Sequence, residues 1–319
     1  MRLLRIDGED RFSLVEFMGE DTPPYAILSH TWGHDNEEVT LNDITNNTGL
    51  NKLGYEKIRF YKTSSAELTE SINSMYQWYK EATVCYVALM DLPPHAWRTD
   101  ELSQCRWFTR GWTLQELLAP QTLEFYDATW KHIGSKHTLA NKLSRITGID
   151  RLYLIGGDLT FTSVATKMSW AARRQTKRIE DKAYSMLGLF DVNMPLIYGE
   201  GTKAFRRLQE EIIKQSNDLT IFAWDSRTLL DSTQQLLINS LATSPAAFAY
   251  SSQIYNYTDD FAEFAITNKG PKLFCRDGSF DLETKVEQGR VCDHKREDYQ
   301  QEQQPYRKPA FESLEEQEP

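Results

Sequence analysis

A tryptophan and a glutamate four positions apart form a pair that could take part in binding or catalysis. They begin and end the segment Trp112-Thr-Leu-Gln-Glu116, which has the pattern W-x-x-x-E. Positions i and i+4 lie on one face of an α-helix, so an aromatic ring would stand beside a carboxylate. A carboxylate held close to a reacting centre can stabilise developing positive charge. The spacing alone is a weak pattern, and a core role for Trp112 is the alternative.

A second group of polar residues follows an apolar run near the N-terminus. Residues 25–28 are continuous and apolar, as expected of a strand that is buried on both faces. Ligands of open α/β sheets bind outside the carboxyl ends of the strands. We therefore expect Ser29, His30, Trp32 and Gly33 to line the mouth of this strand. A structural histidine beside a tight turn is the alternative for His30.

Alternating strands and helices must position both groups. The apolar runs predict strands and the helical spacing predicts the helices between them, which together indicate a mainly parallel α/β sheet flanked by helices, with right-handed crossovers. Ser64 and Glu67 form a capping box at the start of one helix, where Glu67 is better explained as a cap than as a second catalytic acid. The predicted strands are 25–28, 84–90 and 122–126, and the predicted helices are 64–82 and 107–118.

The pattern becomes mostly helical after Trp130. Helices are predicted at 139–147, 164–174, 180–190 and 203–215, and residues 219–224 predict a strand or an extended docking segment. A few strands are expected within 225–285. From about residue 286 the chain is rich in Glu, Gln, Lys, Arg and Pro, which cannot bury enough apolar surface to offset ordering entropy. We expect a disordered acidic tail there.

Composition narrows the functional classes. The 319 residues carry a net charge of −10 with a pI of about 5.2, which argues against nucleic acid as a partner. The sequence has no signal-peptide-like start and no long apolar run, so we expect a cytoplasmic protein without a membrane span. No phosphate-binding glycine motif and no zinc-ligand spacing occur, so no metal or bound cofactor is expected. The four cysteines are expected to be free thiols: Cys85, Cys105, Cys275 and Cys292.

Three segments together resemble the hallmark motifs of the fungal heterokaryon-incompatibility (HET) domain. They are residues 25–33, 64–79 and 106–120, in the family's order, and the resemblance covers roughly residues 20–130. Residues 168–224 are similar to the helical segment that often follows this domain. The resulting organisation is a HET domain at 1–130, a helical region at 131–225, a weakly patterned extension at 226–285 and the tail at 286–319.

The resemblance implies a TIR-like fold and a role in non-self recognition and programmed cell death. Some TIR domains cleave NAD⁺ between nicotinamide and ribose, a glycosidic reaction whose oxocarbenium-like transition state a carboxylate stabilises. By this resemblance Glu116 is the catalytic candidate and NAD⁺ the candidate substrate. Ser29, His30, Trp32, Gly33 and Trp112 would bind the substrate. Arg110 would contact its pyrophosphate, or else pair with a nearby acid.

One departure from the family pattern leaves other functions open. A helix and strand of about twenty residues are missing near residues 60–63, where a parallel strand needs a crossover of a dozen or more residues. Either the sheet is rebuilt with one fewer strand, or the gene is decayed or mis-spliced. A non-enzymatic module that associates with itself or with other death-pathway proteins is one alternative to the NAD⁺ glycohydrolase. An inactive paralogue is the other.

Overall fold

The structure of the chain is a computed structural model. It describes residues 2–8, 11–17, 21–31, 38–39, 43, 48, 51–52, 68–98, 100–225, 241–254, 263–267, 270–275 and 278–281. The expectations for Trp32, Gly33, the Ser64 and Glu67 cap, residues 60–63 and the acidic tail fall outside these residues. Residues 1–284 group into one compact unit.

The chain begins with an antiparallel hairpin and then forms the sheet that carries the candidate site. The hairpin pairs β1 (Arg2–Gly8) with β2 (Arg11–Glu16). The sheet has four strands, in the order β3 (Ala26–His30), β4 (Val84–Ala88), β5 (Leu123–Tyr126) and β6 (His132–Ser135). The first three strands are mutually parallel, and β6 runs antiparallel to β5. The sequence-based prediction of a mainly parallel α/β sheet is confirmed, whereas a TIR-like fold stays a prediction.

The strands on either side of residues 60–63 are direct neighbours in the sheet. β3 and β4 pair in parallel from Ala26 with Val84 to His30 with Ala88. Their backbone groups are therefore paired with each other across this edge. The antiparallel edge strand β6 was missed by the sequence reading, because its four residues have too short a pattern to separate from the helices that follow.

Helices pack beside and beyond the sheet. The first group is α1 (Leu68–Glu81), α2 (Glu101–Gln104), α3 (Thr113–Leu118), α4 (Ala140–Thr147) and α5 (Arg151–Leu154). The second is α6 (Val164–Ala171), α7 (Asp181–Tyr184) and α8 (Lys203–Gln215). Short 3₁₀ helices occupy 96–98, 106–109, 159–161, 219–222 and 245–248. Among the described helices, none combines the length and apolar character needed to cross a bilayer.

Three helix and strand predictions need correction. The helix expected over 107–118 is interrupted. A 3₁₀ helix at 106–109 and helix α3 take its place, because the backbone of Arg110 is extended and pairs with Gln175. Only Asp181–Tyr184 of the helix expected at 180–190 forms an α-helix. The segment 219–224, expected to be extended, forms a 3₁₀ helix whose first turn is capped by the side chain of Asp218. Local hydrogen bonds of this kind compete with extended structure.

One apolar core joins the sheet to the later helices. It runs from Val87 and Phe125 in the sheet to Met168 and Leu208 in the helices α6 and α8. The organisation boundaries drawn at 130 and 225 stay predictions. A separate antiparallel meander follows, formed by β7 (Glu263–Thr267), β8 (Gly270–Cys275) and β9 (Gly278–Asp281), as the expectation of strands within 225–285 anticipated.

Helix α1 approaches the later part of the chain at a glycine. A Cβ atom placed on Gly188 would lie 2.0 Å from the Cβ atom of Tyr76. Real Cβ atoms do not approach so closely, and the obstacle is the rigid base of the side chain. The contact therefore requires glycine at position 188.

We expect Gly188→Ala to lower the free energy of unfolding by about 2–3 kcal/mol, because the helix must shift to remove the overlap. Gly148→Ala is the matched control. Gly148 has a φ of +72°, and nothing lies within 4 Å of the point that an added methyl group would occupy, so this control tests backbone strain alone. Its cost should be about 1 kcal/mol. Urea denaturation of both variants measures the difference, and equal losses would contradict the packing argument.

Candidate functional site

The sheet and helix α3 bring Ser29 and Glu116 into direct contact. The Ser29 hydroxyl group, near the carboxyl end of β3, donates a short hydrogen bond to Oε2 of Glu116. The Trp107 indole Nε1 in turn donates to the Ser29 hydroxyl oxygen at 2.6 Å. All three side chains are buried, and Glu116 is 8% exposed. A chain of hydrogen bonds therefore runs from the indole through the hydroxyl group to the carboxyl group.

Helix α1 contributes a tyrosine to the same group. The Tyr79 hydroxyl group donates to the backbone carbonyl oxygen of Leu28 at 3.2 Å, and Tyr79 and the Glu116 carboxyl group each affect the other's pKa. Burial, and then the charge of Glu116, hold the pKa of Tyr79 well above its ordinary value. Tyr79 therefore keeps its proton at neutral pH.

A buried arginine, Arg174, binds residues at the start of helix α3. The Arg174 guanidinium group donates to the carbonyl oxygen of Arg110 and to the hydroxyl oxygen of Thr113, both at 2.9 Å. The Thr113 hydroxyl group also donates to the carbonyl oxygen of Trp107. Burial lowers the pKa of Arg174 to about 10, while Glu116 opposes that change. Arg174 therefore stays cationic at neutral pH and ties the start of α3 to residues far along the chain.

Burial dominates the electrostatics of Glu116. It raises the pKa of the carboxyl group to about 7, against opposing effects from the Ser29 hydrogen bond, the charges of Arg110 and Arg174, and the Tyr79 hydrogen bond. Protonated and ionised forms are therefore both populated near neutral pH. A carboxyl group in this state can exchange a proton or, once ionised, stabilise a cation beside it.

Trp112 and Glu116 have different neighbours. Trp112 directly precedes α3 in helical backbone geometry, and its side chain acts to lower the pKa of Asp181 against the burial that raises it. The Asp181 carboxylate also accepts from the Tyr198 hydroxyl group at 3.0 Å. Trp112 is partly buried and packs against the apolar core. The i, i+4 spacing exists as predicted, and a shared substrate surface for the two residues stays a prediction.

His30 and Arg110 are the predicted site residues that the structure describes beside this group. His30 ends β3, and its Nε2 atom is 3.7 Å from Oε2 of Glu38. Arg110 lies at the break before α3, and its charge acts on Glu116. These positions place Ser29, Arg110 and Glu116 in one neighbourhood. Substrate binding by His30, Trp32, Gly33 and Trp112 stays a prediction.

Three residues of the site were missed by the sequence reading. Tyr79 and Trp107 lie within the quoted family segments, so their position was a signal, but their apolar surroundings favour a core role. Arg174 lies in the later segment 168–224, and nothing in its local sequence indicates that its side chain reaches Thr113 of α3. Tertiary contacts of this kind are not encoded in local spacing.

A buried lysine supports helix α3 from its other end. The Lys136 ammonium group donates to the carbonyl oxygens of Leu117 at 3.2 Å and Pro120 at 2.5 Å. It is 2% exposed, and burial lowers its pKa to about 8. A cation at the C-terminal end of a helix satisfies its last carbonyl groups and complements its dipole. Lys136 therefore holds the helix that carries Glu116.

Two cavities lie among the later helices. Their volumes are about 490 and 310 Å³, and neither is lined by Glu116, Ser29 or Arg110. Among the residues that the structure describes, no group of three His, Cys, Asp or Glu side chains could hold a metal ion. Cys85 and Cys105 are buried free thiols.

The described residues thus define an α/β protein with a parallel-rich sheet, flanking helices and a buried acid at the sheet edge. The chain is similar to vegetative incompatibility protein HET-E-1 of Podospora anserina, with 42% identity over 252 residues. The match covers 69% of this chain and 18% of that protein, so the chain spans less than a fifth of its relative. The similarity supports the resemblance to fungal incompatibility proteins.

A family model matches the later part of the chain. It is a domain of unknown function, DUF8212, and it covers residues 203–300. The match begins at helix α8 and runs past the meander β7–β9. No solved structure matches the chain.

Glu116→Gln tests the electrostatic description of the site. The folded-state pKa of Glu116 is raised from 4.5 to about 7, so the folded protein keeps a proton that the unfolded chain releases. Stability from this group is therefore present below about pH 4.5 and is lost as the pH rises through about 7. Glutamine does not titrate, so wild type should lose roughly 3 kcal/mol relative to the variant across this window.

Urea denaturation at a series of pH values measures this difference. The pKa of Asp181 is also raised, mainly by burial, but Asp181 is common to both proteins and cancels. Parallel stability profiles for wild type and Glu116→Gln would show that the carboxyl group does not carry the proton.

Proposed function

We propose that this chain acts in fungal non-self recognition, as the effector part of an incompatibility protein that triggers cell death in the cytoplasm. The similarity to a vegetative incompatibility protein supports this role. The finer proposal is that the domain cleaves NAD⁺ at the bond between nicotinamide and ribose. The observation that carries it is the buried carboxyl group of Glu116, held by Ser29 at the carboxyl end of a parallel strand.

The proposed reaction uses Glu116 in its ionised form. As the bond between the ribose carbon and the nicotinamide nitrogen breaks, both electrons leave with nicotinamide and positive charge develops on the ribose. The Glu116 carboxylate stabilises that charge, and a water molecule adds its oxygen to the ribose carbon and releases a proton. The products are nicotinamide and ADP-ribose. Arg110 supplies a positive charge for the pyrophosphate.

Access to Glu116 requires the substrate to replace its internal partners. The carboxyl group is 8% exposed, and the Ser29 hydroxyl group donates to it. Ribose hydroxyl groups offer the same donor chemistry, so an exchange would keep the carboxylate satisfied. Ionisation with a pKa of about 7 makes the required form available near neutral pH.

NAD⁺ loss with purified protein at high concentration tests the enzymatic proposal. Wild type should consume NAD⁺ and release nicotinamide, while Glu116→Gln should lower the rate by at least about 100-fold, because it removes the stabilising charge. Glu211→Gln is the matched control, since Glu211 is paired with Lys214 on an outer face of α8 and should not affect the rate. Equal rates for all three folded proteins would reject Glu116 as the catalytic group.

A second function is favoured by the burial of the same group. The Glu116 carboxyl group is 8% exposed and accepts from the buried Ser29 hydroxyl group, which is the arrangement of a polar group that fixes packing. On this view the domain signals by self-association, or by binding other death-pathway proteins, without chemistry of its own. An inactive paralogue that pairs with intact relatives is a variant of this view.

Expression in a fungal host separates the two functions. The enzymatic proposal predicts that toxicity and loss of cellular NAD⁺ disappear together in Glu116→Gln. The binding-module proposal predicts that toxicity survives in a folded Glu116→Gln protein with NAD⁺ unchanged. Size-exclusion chromatography of each purified variant shows whether the oligomeric state followed the phenotype.

A further inference from the structure

The larger of the two cavities is lined by residues that lie far along the chain from Glu116. Its volume is about 490 Å³, within the range of small-molecule sites. It is bounded by the 3₁₀ helix at 159–161, the start of α6, Phe190, the end of α8 and residues 216–218. Hydroxyl and amide groups line it together with Phe161, Phe190 and Ile212.

A lysine on this cavity wall has unused hydrogen-bond donors. The Lys167 ammonium group lies 5.6 Å from the centre of the Phe190 ring. Among the described residues, no acceptor makes a hydrogen bond or a close ion pair with it, and only the longer-range charges of Asp218 and Asp158 act on it. Burial lowers the pKa of Lys167 more than these two charges raise it. Within the described residues, its N–H donors therefore have no hydrogen-bond acceptor beside the Phe190 ring contact.

A buried hydroxyl group at the same wall also lacks a partner. Oγ1 of Thr162 is buried and makes no hydrogen bond within the described residues, and the residue is 7% exposed. Thr162 borders the larger cavity and also the smaller one. Unsatisfied buried polar atoms are rare in folded proteins, and each one indicates a missing partner.

The two nearby acids are already engaged with the backbone. The Asp218 carboxylate accepts from the amides of Val164 at 2.7 Å and Thr220 at 2.9 Å. Asp158 accepts from the amide of Thr160 at 2.8 Å. These carboxylates cap helix starts, and their charges reduce the local positive potential. A singly charged ligand is therefore favoured over a doubly charged phosphate.

We propose that this cavity binds a small organic monocarboxylate with a planar apolar body. The carboxylate accepts from the Lys167 ammonium group and, once the Thr162 side chain rotates toward the cavity, from its hydroxyl group, and the apolar body lies against Phe161 and Phe190. Phe161 is 87% exposed, so an apolar ligand would cover part of its ring. This site is independent of the NAD⁺ proposal. It joins α6 to the end of α8, and α8 belongs to the segment that the DUF8212 model matches.

Protection of Lys167 from acylation tests the site on the full chain. The protein is treated with a reactive acetyl ester that acetylates lysine amino groups. Peptide mass spectrometry then measures the rate of acetylation at each lysine. Sodium benzoate at about twice its Kd should slow acylation of Lys167 about threefold, because only the free protein reacts. Exposed Lys203 should react at an unchanged rate. Acetate lacks the apolar body and inorganic phosphate carries extra charge, so both should protect far less.

Two variants assign the contacts. Benzoate should raise the Tm of wild type but not of Lys167→Met, which keeps a side chain of similar volume. Thr162→Val removes a hydroxyl group that has no partner, so the ligand-free protein should be at least as stable as wild type. Its benzoate affinity should fall about threefold to tenfold.

Three results would overturn the proposal. The first is an unchanged rate of Lys167 acylation at about 50 mM benzoate, a concentration well above the Kd expected for specific binding of a ligand of this size. The second is equal protection by phosphate and benzoate, which would exclude the apolar contact. The third is an equal rise in Tm for wild type and Lys167→Met, which would place benzoate elsewhere.

Discussion

The hydrogen bond from the Ser29 hydroxyl group to the buried carboxyl group of Glu116 is the contact on which the rest of the site depends. It joins the first parallel strand to helix α3, and each neighbouring element adds a group that satisfies it. A buried carboxyl group without such partners would be strongly destabilising. The same burial that demands these partners raises the pKa to about 7, so packing and proton chemistry have one cause. Burial therefore sets both the packing and the pKa of this carboxyl group.

Helix α3 is positioned from both ends by cations that come from other parts of the chain. Arg174 binds the carbonyl oxygen of Arg110 before the helix, and Lys136 binds the carbonyl oxygens of Leu117 and Pro120 at and beyond its end. Both side chains are buried, and both bind backbone atoms whose positions depend on the helix. A six-residue helix is too short to be stable alone, so these contacts and the apolar core hold it in place. The later helical region is thus part of what orients Glu116.

The cavity beside Lys167 follows a different physical logic from the Glu116 site. Around Glu116 the internal partners are numerous, and the group is buried with them. Around Lys167 and Thr162 the described residues supply no hydrogen-bond acceptor for the ammonium group and no partner for the hydroxyl group, while open volume is present. Satisfied networks stabilise a fold, whereas a cavity beside polar groups without hydrogen bonds is suited to a ligand. The two regions therefore suggest separate roles within one chain.

The apolar runs predicted three parallel strands, which the structure has at 26–30, 84–88 and 123–126, and helical spacing predicted the helix over 203–215, because both are local signals. The break at Arg110 in the helix expected over 107–118 follows from the tertiary structure. That break depends on hydrogen bonds to Gln175, more than sixty positions away. The same holds for Tyr79, Trp107 and Arg174, since their types suit a core or a surface equally well. Hydrogen bonds between distant residues depend on how the elements pack, and spacing along the chain carries no record of that packing.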